Sequence, residues 1–167
     1  LSSPLTDVQW PKATQQVNGV SRNMRLRYTQ LNYLHRTYLT THRIAKMYTT
    51  ASPKCPRCAH PKADFIHMTW ACPVIAEAWE TVTKVLSNIL DSPVLHTPVS
   101  CILGVRPNSK QDKYKNKLLN LAFALFKCLI AMQWKSSAAH DINSCCKILL
   151  KWTQAESDVL AETVGRG

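Results

Sequence analysis

The apolar positions of this chain fall mostly on helical spacing. Ile75, Trp79, Val82, Leu86 and Ile89 step by four, three, four and three, which lines one face of an amphipathic helix. Pro73 suits the first turn of that helix, which ends near Asp91. Met24, Tyr28, Leu31, His35 and Tyr38 repeat in the same way after Ser21, a good N-cap. The spacing predicts a helix with that stripe buried and with Arg22, Arg25, Thr29, Asn32 and Arg36 on its polar face. Thr40 or Thr41 then caps a short helix, residues 42–48, with Ile44 and Met47 inward and Arg43 and Lys46 outward.

Further on, residues 118–134 hold only three strongly polar side chains, Asn120, Lys127 and Gln133. The run is shorter than the roughly 20 residues a bilayer needs, and a Lys sits near its middle. It reads as a central helix buried on most sides, not a membrane span. Residues 92–107 carry three prolines and a Gly, so they form a connection, with 99–105 as a strand or a single helical turn. A last helix is expected at 141–164, with Ile142, Cys145, Leu149, Trp152, Ala155 and Val159 as its stripe. Residues 1–20, rich in Ser, Thr, Gln, Asn and Pro, read as a loose lead-in. The fold class is mostly α. We expect a lead-in (1–20), a basic helical pair with a metal knuckle and the following helix (21–91), and a C-terminal helical part (92–167) packed on the same core.

The knuckle itself is the most specific stretch. Cys55, Cys58, His67 and Cys72 form a C-x2-C-x8-H-x4-C pattern. Two cysteines with two residues between them make a tight turn whose thiolates converge on one ion, and a His and a Cys close a tetrahedron of the kind Zn²⁺ accepts. The expected fold is therefore a helical bundle with an embedded CCHC zinc knuckle, the Zn²⁺ being structural. Pro56 and Arg57 between the cysteines suit an exposed turn, and residues 63–71 can be helical, with His67 projecting toward the turn. His60 is a rival ligand and ranks below His67. Treating the cysteines as small buried hydrophobes explains three of them within eighteen residues poorly. Folding of residues 52–73 should depend on the metal, whereas the bundle has a core of its own.

Composition narrows the functional classes. At 167 residues with 46% hydrophobic content, the chain is large enough to bury one core and not biased toward disorder. Seven cysteines, four of them in apolar or helical contexts outside the knuckle, fit a reducing intracellular compartment better than a secreted disulfide framework. No signal peptide is visible, and a first residue Leu suggests a piece of a longer protein. The net charge of +11 is uneven: up to Cys72 there are ten Lys and Arg against two acids, afterwards eleven against eight. That surplus would attract a polyanion, most plausibly nucleic acid. Arg22, Arg25, Arg27, Arg36, Arg43 and Lys46 would contact phosphates, Lys54, Arg57 and Lys62 would extend the surface, and Tyr33 or Tyr48 could stack on bases. Catalysis is disfavoured: no two acids are adjacent, no Gly-rich phosphate loop appears, and all four metal positions are filled by protein.

Several strings resemble a known family. They are Leu31-Asn-Tyr-Leu-His-Arg-Thr-Tyr-Leu-Thr, Arg43-Ile-Ala-Lys-Met, Cys55-Pro-Arg-Cys, Ala63-Asp-Phe-Ile-His-Met-Thr-Trp-Ala-Cys-Pro, Trp79, Ile130-Ala-Met-Gln-Trp-Lys-Ser and Trp152. From about residue 21 to 162 the chain resembles the C-terminal zinc-knuckle region of LINE-type (non-LTR) retrotransposon reverse-transcriptase polyproteins. The resemblance implies Cys55, Cys58, His67 and Cys72 as zinc ligands. It also implies RNA as the favoured partner, with DNA as a second, and a supporting role in target-primed reverse transcription. The parent polyprotein would supply polymerase and endonuclease, in a cytoplasmic ribonucleoprotein and the nucleus, with no membrane partner. The competing reading is a zinc-stapled helical module whose basic face meets an acidic protein partner or the rest of the polyprotein.

Overall fold

The computed structural model describes residues 9–106, 113–137 and 151. Among them are six α-helices and one π-helical turn, with no strand. The helices are α1 (Gln9–Gly19), α2 (Met24–His35), α3 (Thr41–Met47), α4 (Pro73–Leu90), α5 (Pro98–Leu103) and α6 (Lys113–Met132), and the π turn is His67–Ala71. Their boundaries follow local chemistry. Asn23 accepts the Arg25 N–H at 2.9 Å to start α2, and Thr40 accepts the Arg43 N–H at 3.1 Å to start α3. Pro73 opens α4, and the left-handed Asp91 ends it. Thr97 caps α5, which Gly104, at φ 72°, terminates.

Helix α6 is the axis of the molecule. Leu119 and residues 121–130 are all buried, as expected for a helix apolar on every side. One side, with Ala122, Phe123, Phe126 and Ile130, joins the main core of Tyr33, Phe65, Met68, Ile75, Trp79 and Val82. The other, with Leu121, Ala124, Leu125 and Cys128, meets Val20 and Leu26. Trp79 of α4 stands edge-on to Phe126 and Phe123, with ring centroids 4.5 and 5.7 Å away. No helix among the described residues is long and apolar enough to cross a membrane.

The structure corrects several sequence expectations. Residues 9–19, within the supposed lead-in, are helical, and Ala13 is fully buried in the main core. The helix after Ser21 begins at Met24, because Asn23 provides the cap while Ser21 is buried and holds the Asn23 N–H. Most consequentially, α2 is rotated from its expected orientation. Its buried face is Leu26, Thr29, Gln30, Tyr33 and Leu34, while Met24, Tyr28, Leu31 and His35 face solvent. Met47 and Ile89, expected inside, are also exposed. The segment 99–105 resolves as the short helix α5 and its cap. The helix expected at 141–164 lies outside the described residues, except that Lys151 is helical and exposed.

The rotation of α2 has a physical cause in Lys127, a fully buried lysine of α6. Its ammonium donates to Gln30 Oε1 of α2 and to the Ile102 carbonyl of α5, the latter at 2.7 Å. Gln30 Nε2 donates to that same carbonyl at 3.3 Å, and the Tyr33 hydroxyl donates to the Lys127 carbonyl at 3.2 Å. A buried polar group is tolerable only when hydrogen-bonded. Turning Gln30 and Tyr33 inward satisfies these groups, and the apolar stripe of α2 moves to the outside as a consequence.

Among the described residues no carboxylate pairs with Lys127, and burial pushes its pKa down to about 7, with the Cys101 thiol favouring the charge and the Arg106 guanidinium opposing it. In the unfolded chain its pKa is about 10.5. Between those values the unfolded state holds a proton that the folded state lacks, so stability should rise with pH from about 7 to about 10.5. Comparing urea unfolding of the parent and Lys127→Met isolates this contribution from the cysteines. The parent's stability relative to the variant should grow by a few kcal/mol over that range. A constant difference would show that Lys127 is not held as described.

Candidate metal centre

Residues 52–73 fold as a loop closed on itself. The Cys55 N–H donates to the His60 carbonyl, the Ala59 N–H to the Cys55 carbonyl, and the Ala63 N–H to the Pro53 carbonyl, at 2.9, 2.9 and 3.1 Å. Ala59 takes φ 58° to complete the turn, a left-handed conformation that costs a side-chain-bearing residue about 1–2 kcal/mol. The turn brings Cys55 and Cys58 together from one side.

His67 and Cys72 arrive from the other side by a different device. Residues five apart on an α-helix lie ~140° around the axis and cannot share a site. Here the helix widens, with the Cys72 N–H donating to the His67 carbonyl at 2.9 Å in place of the usual partner four residues back. A π turn brings positions five apart nearly into line, so both side chains face the knuckle. Asp64 fixes the start of this helix, its Oδ1 accepting the His67 N–H at 2.8 Å.

Widening leaves carbonyls without helical partners, and Pro73 has no N–H to offer. The Met68 carbonyl is taken by Arg57 Nη1 at 3.2 Å, and the Thr69 carbonyl by the indole Nε1 of Trp79 at 2.9 Å. Arg57 also reaches the Gln133 and Trp134 carbonyls just past α6, at 3.2 and 3.5 Å. The expectation of an exposed, phosphate-binding Arg57 is thereby corrected: its guanidinium is turned inward onto three carbonyls.

The result is one group of four side chains, Cys55, Cys58, His67 and Cys72, whose ligand atoms all lie within 4.8 Å of one another. The Cys55 and Cys72 sulfurs are 3.9 Å apart, and Cys58 Sγ lies 3.2 Å from His67 Nε2. A tetrahedral ion with sulfurs at about 2.3 Å would hold them about 3.8 Å from each other, so the spacing fits a metal ion. A disulfide would need sulfurs about 2.05 Å apart, and all five described cysteines are free thiols. Among the described residues this is the one such group. His60 is outside it. Its ring stacks on His67 with centroids 4.4 Å apart, and its Nδ1 accepts the Lys62 N–H at 3.2 Å.

The local field prepares the ligands unequally. For Cys55, burial pushes the thiol up, but the N–H groups of Arg57 and Cys58 and the thiols of Cys58 and Cys72 outweigh it, so its pKa falls below the ordinary value. For Cys72, burial together with Cys58 and the Cys55 charge raises the pKa to about 11, against weaker help from the Ile75 and Val74 N–H groups. The opposite directions belong to one physical fact: two buried negative charges this close repel, so without a cation only one thiolate is favoured. Burial, His60 and Arg57 lower the His67 pKa against Asp64, which keeps the imidazole neutral, as a ligand requires. A divalent ion would reverse the penalty at Cys72.

Of the nine cations singled out for nucleic acid, Arg22, Arg25, Arg36, Arg43, Lys46, Lys54 and Lys62 are exposed, whereas Arg27 and Arg57 are half-buried. Arg27 Nε donates to the Ser21 carbonyl at 2.6 Å. Tyr33 is buried and cannot stack on a base, but Tyr48 is exposed. Asp64, Trp79 and Arg57 as supports of the site were missed by sequence reasoning. Asp64 alone left a signal, since Asp three residues before His67 is an N-cap spacing.

The geometry predicts that His67→Ala loses metal by orders of magnitude in affinity, while His60→Ala changes it about tenfold or less, as for a neighbour of a ligand. Chelator competition measures both, and equal losses would return His60 to the ligand set. Affinity in the parent should also fall as pH is lowered, because thiols must release protons to bind. No protein-family model matches this chain.

Proposed function

We propose that the chain is a zinc-stabilised nucleic-acid-binding module, with RNA preferred over DNA, from the C-terminal part of a non-LTR retrotransposon reverse transcriptase. Three sulfurs and one imidazole in tetrahedral spacing favour Zn²⁺ over harder cations. With every position filled by protein, the ion would hold the fold and leave catalysis to other parts of the parent protein.

The observation that carries the reading is the adjacency of α3 to both α2 and the knuckle. Arg43 Nη1 donates to the Arg36 carbonyl at 3.3 Å, Thr41 Oγ1 to the Lys54 carbonyl at 3.0 Å, and the His42 N–H to the Ala63 carbonyl at 3.4 Å. These bonds bring the backbone at Arg36, Lys54 and Ala63 against α3, and the side chains of Arg36, Arg43, Lys54 and Lys62, with Lys46 on the same short helix, are all exposed. No acid occurs between Asp7 and Asp64 to offset them. A ridge of cations without interleaved acids suits a phosphate backbone, and exposed Tyr48 at the end of α3 offers a ring for an unpaired base.

Binding to oligouridylate should weaken with salt at a log–log slope of roughly −0.7 per phosphate contacted. In Arg36→Ala/Arg43→Ala/Lys54→Ala the slope should flatten by about 2 units, with zinc content and helicity retained. Lys117→Ala/Lys151→Ala, both exposed and far along the sequence, is the control and should leave the slope unchanged. If the two variants bind alike, or the parent shows no salt-dependent binding, the nucleic-acid reading is wrong. Elemental analysis giving less than one Zn per chain would remove the zinc assignment independently.

A further inference from the structure

Helix α2 carries large apolar side chains on two faces, and among the described residues only one face is packed. Leu26, Thr29, Gln30, Tyr33 and Leu34 are buried against the body. On the outside, Met24, Tyr28 and Leu31 are 71%, 66% and 39% exposed, spaced by four and three, with His35 continuing the line. Single exposed apolar residues are commonplace, but three large ones in register on one helix form a seam. Arg22, Arg25 and Arg36 are exposed at its ends and flank.

We propose that this face docks an acidic amphipathic helix of a protein partner. Apolar positions at alternating four and three spacing are what a second helix meets at a shallow crossing angle. The seam from Met24 to His35 runs about 16 Å, three turns of such a partner. The partner's apolar stripe would cover Met24, Tyr28 and Leu31, and Asp or Glu beside that stripe would face the arginines, which fixes its orientation and register. A second copy of this chain fits poorly, since pairing α2 with itself gathers six like charges around the seam. Single-stranded nucleic acid fits the cations but not the seam, whose two rings, Tyr28 and His35, stand seven residues apart with Leu31 between them, where a stacking platform needs adjacent rings. The inference goes beyond the nucleic-acid reading and does not depend on it, because the apolar seam of Met24, Tyr28 and Leu31 shares none of its side chains with the cations of that reading, Arg36 alone standing beside both.

The test uses a synthetic 18-residue peptide with Leu at alternating three and four spacing and Glu on both flanks, and a scrambled peptide of the same composition. Both are titrated into the zinc-loaded chain and followed by fluorescence anisotropy. The patterned peptide should bind at least tenfold tighter than the scrambled one. Tyr28→Ser/Leu31→Ser keeps every charge and alters only exposed positions; it should abolish that difference while oligouridylate binding and helicity stay as in the parent. Equal binding of the two peptides would reduce the effect to charge attraction and overturn the proposal. So would a variant that still prefers the patterned peptide. Loss of oligouridylate binding in that variant would reassign the face to nucleic acid, and a concentration-dependent dimer that the variant lacks would reassign it to self-association.

Discussion

The structure turns on the requirement that two side chains five residues apart reach one point. His67 and Cys72 share a side only because the helix between them widens into a π turn. That widening exposes carbonyls which Pro73 cannot satisfy, and an unpaired buried carbonyl costs about 1–3 kcal/mol. Trp79 answers for Thr69 and Arg57 answers for Met68. Each of these supports is itself anchored. Trp79 packs on Phe123 and Phe126 of α6, and Arg57 continues to the carbonyls of Gln133 and Trp134. A local demand of the ligand set is thus transmitted to both the middle and the end of the central helix.

What was legible in the sequence was what depends on near neighbours. The four candidate ligands sit within eighteen residues, α4 follows its apolar periodicity almost to both ends, and the apolar run at 118–134 marks α6, which starts five residues earlier. The errors arose where a distant residue decides. Helix α2 contains two competing stripes, and the sequence favours Met24, Tyr28, Leu31 and His35 because they look more regular. Lys127, almost a hundred positions away, selects the face with Gln30 and Tyr33 instead. Helix α1 was missed because its segment is polar; its place depends on contacts such as Asn120 Nδ2 to Gln16 Oε1 at 2.6 Å, which no local window contains.

Charge counting failed in a related way. Ten cations precede Cys72, but Arg27 and Arg57 are half-buried with their guanidiniums on backbone carbonyls, whereas Arg43, which also reaches a carbonyl, stays exposed. An arginine has five donors on a long stem and can act as a scaffold bolt as readily as a phosphate ligand. Position along the chain does not distinguish the two uses. Arg57 lies between Cys55 and Cys58, where exposure was the natural expectation, and its hydrogen bonds join the knuckle to the end of α6.

This joining changes how the metal and the bundle relate. Sequence alone suggests a knuckle that depends on metal beside a bundle that does not. In the structure, Cys55, Ala63, Phe65, Met68 and Cys72 belong to the same core cluster as Ile75, Trp79, Phe123 and Phe126. Phe65 also packs on Tyr33 of α2, with ring centroids 5.7 Å apart. A structural metal contributes on the order of 10 kcal/mol in small modules, comparable to the 5–15 kcal/mol by which a whole domain is stable. If the knuckle loosened, Phe65 and Met68 would leave cavities in a core that α2, α4 and α6 share, at about 2–5 kcal/mol for each large side chain lost. An ion held there would therefore be linked to folding of the bundle through those two side chains, and would stabilise helices that never touch it.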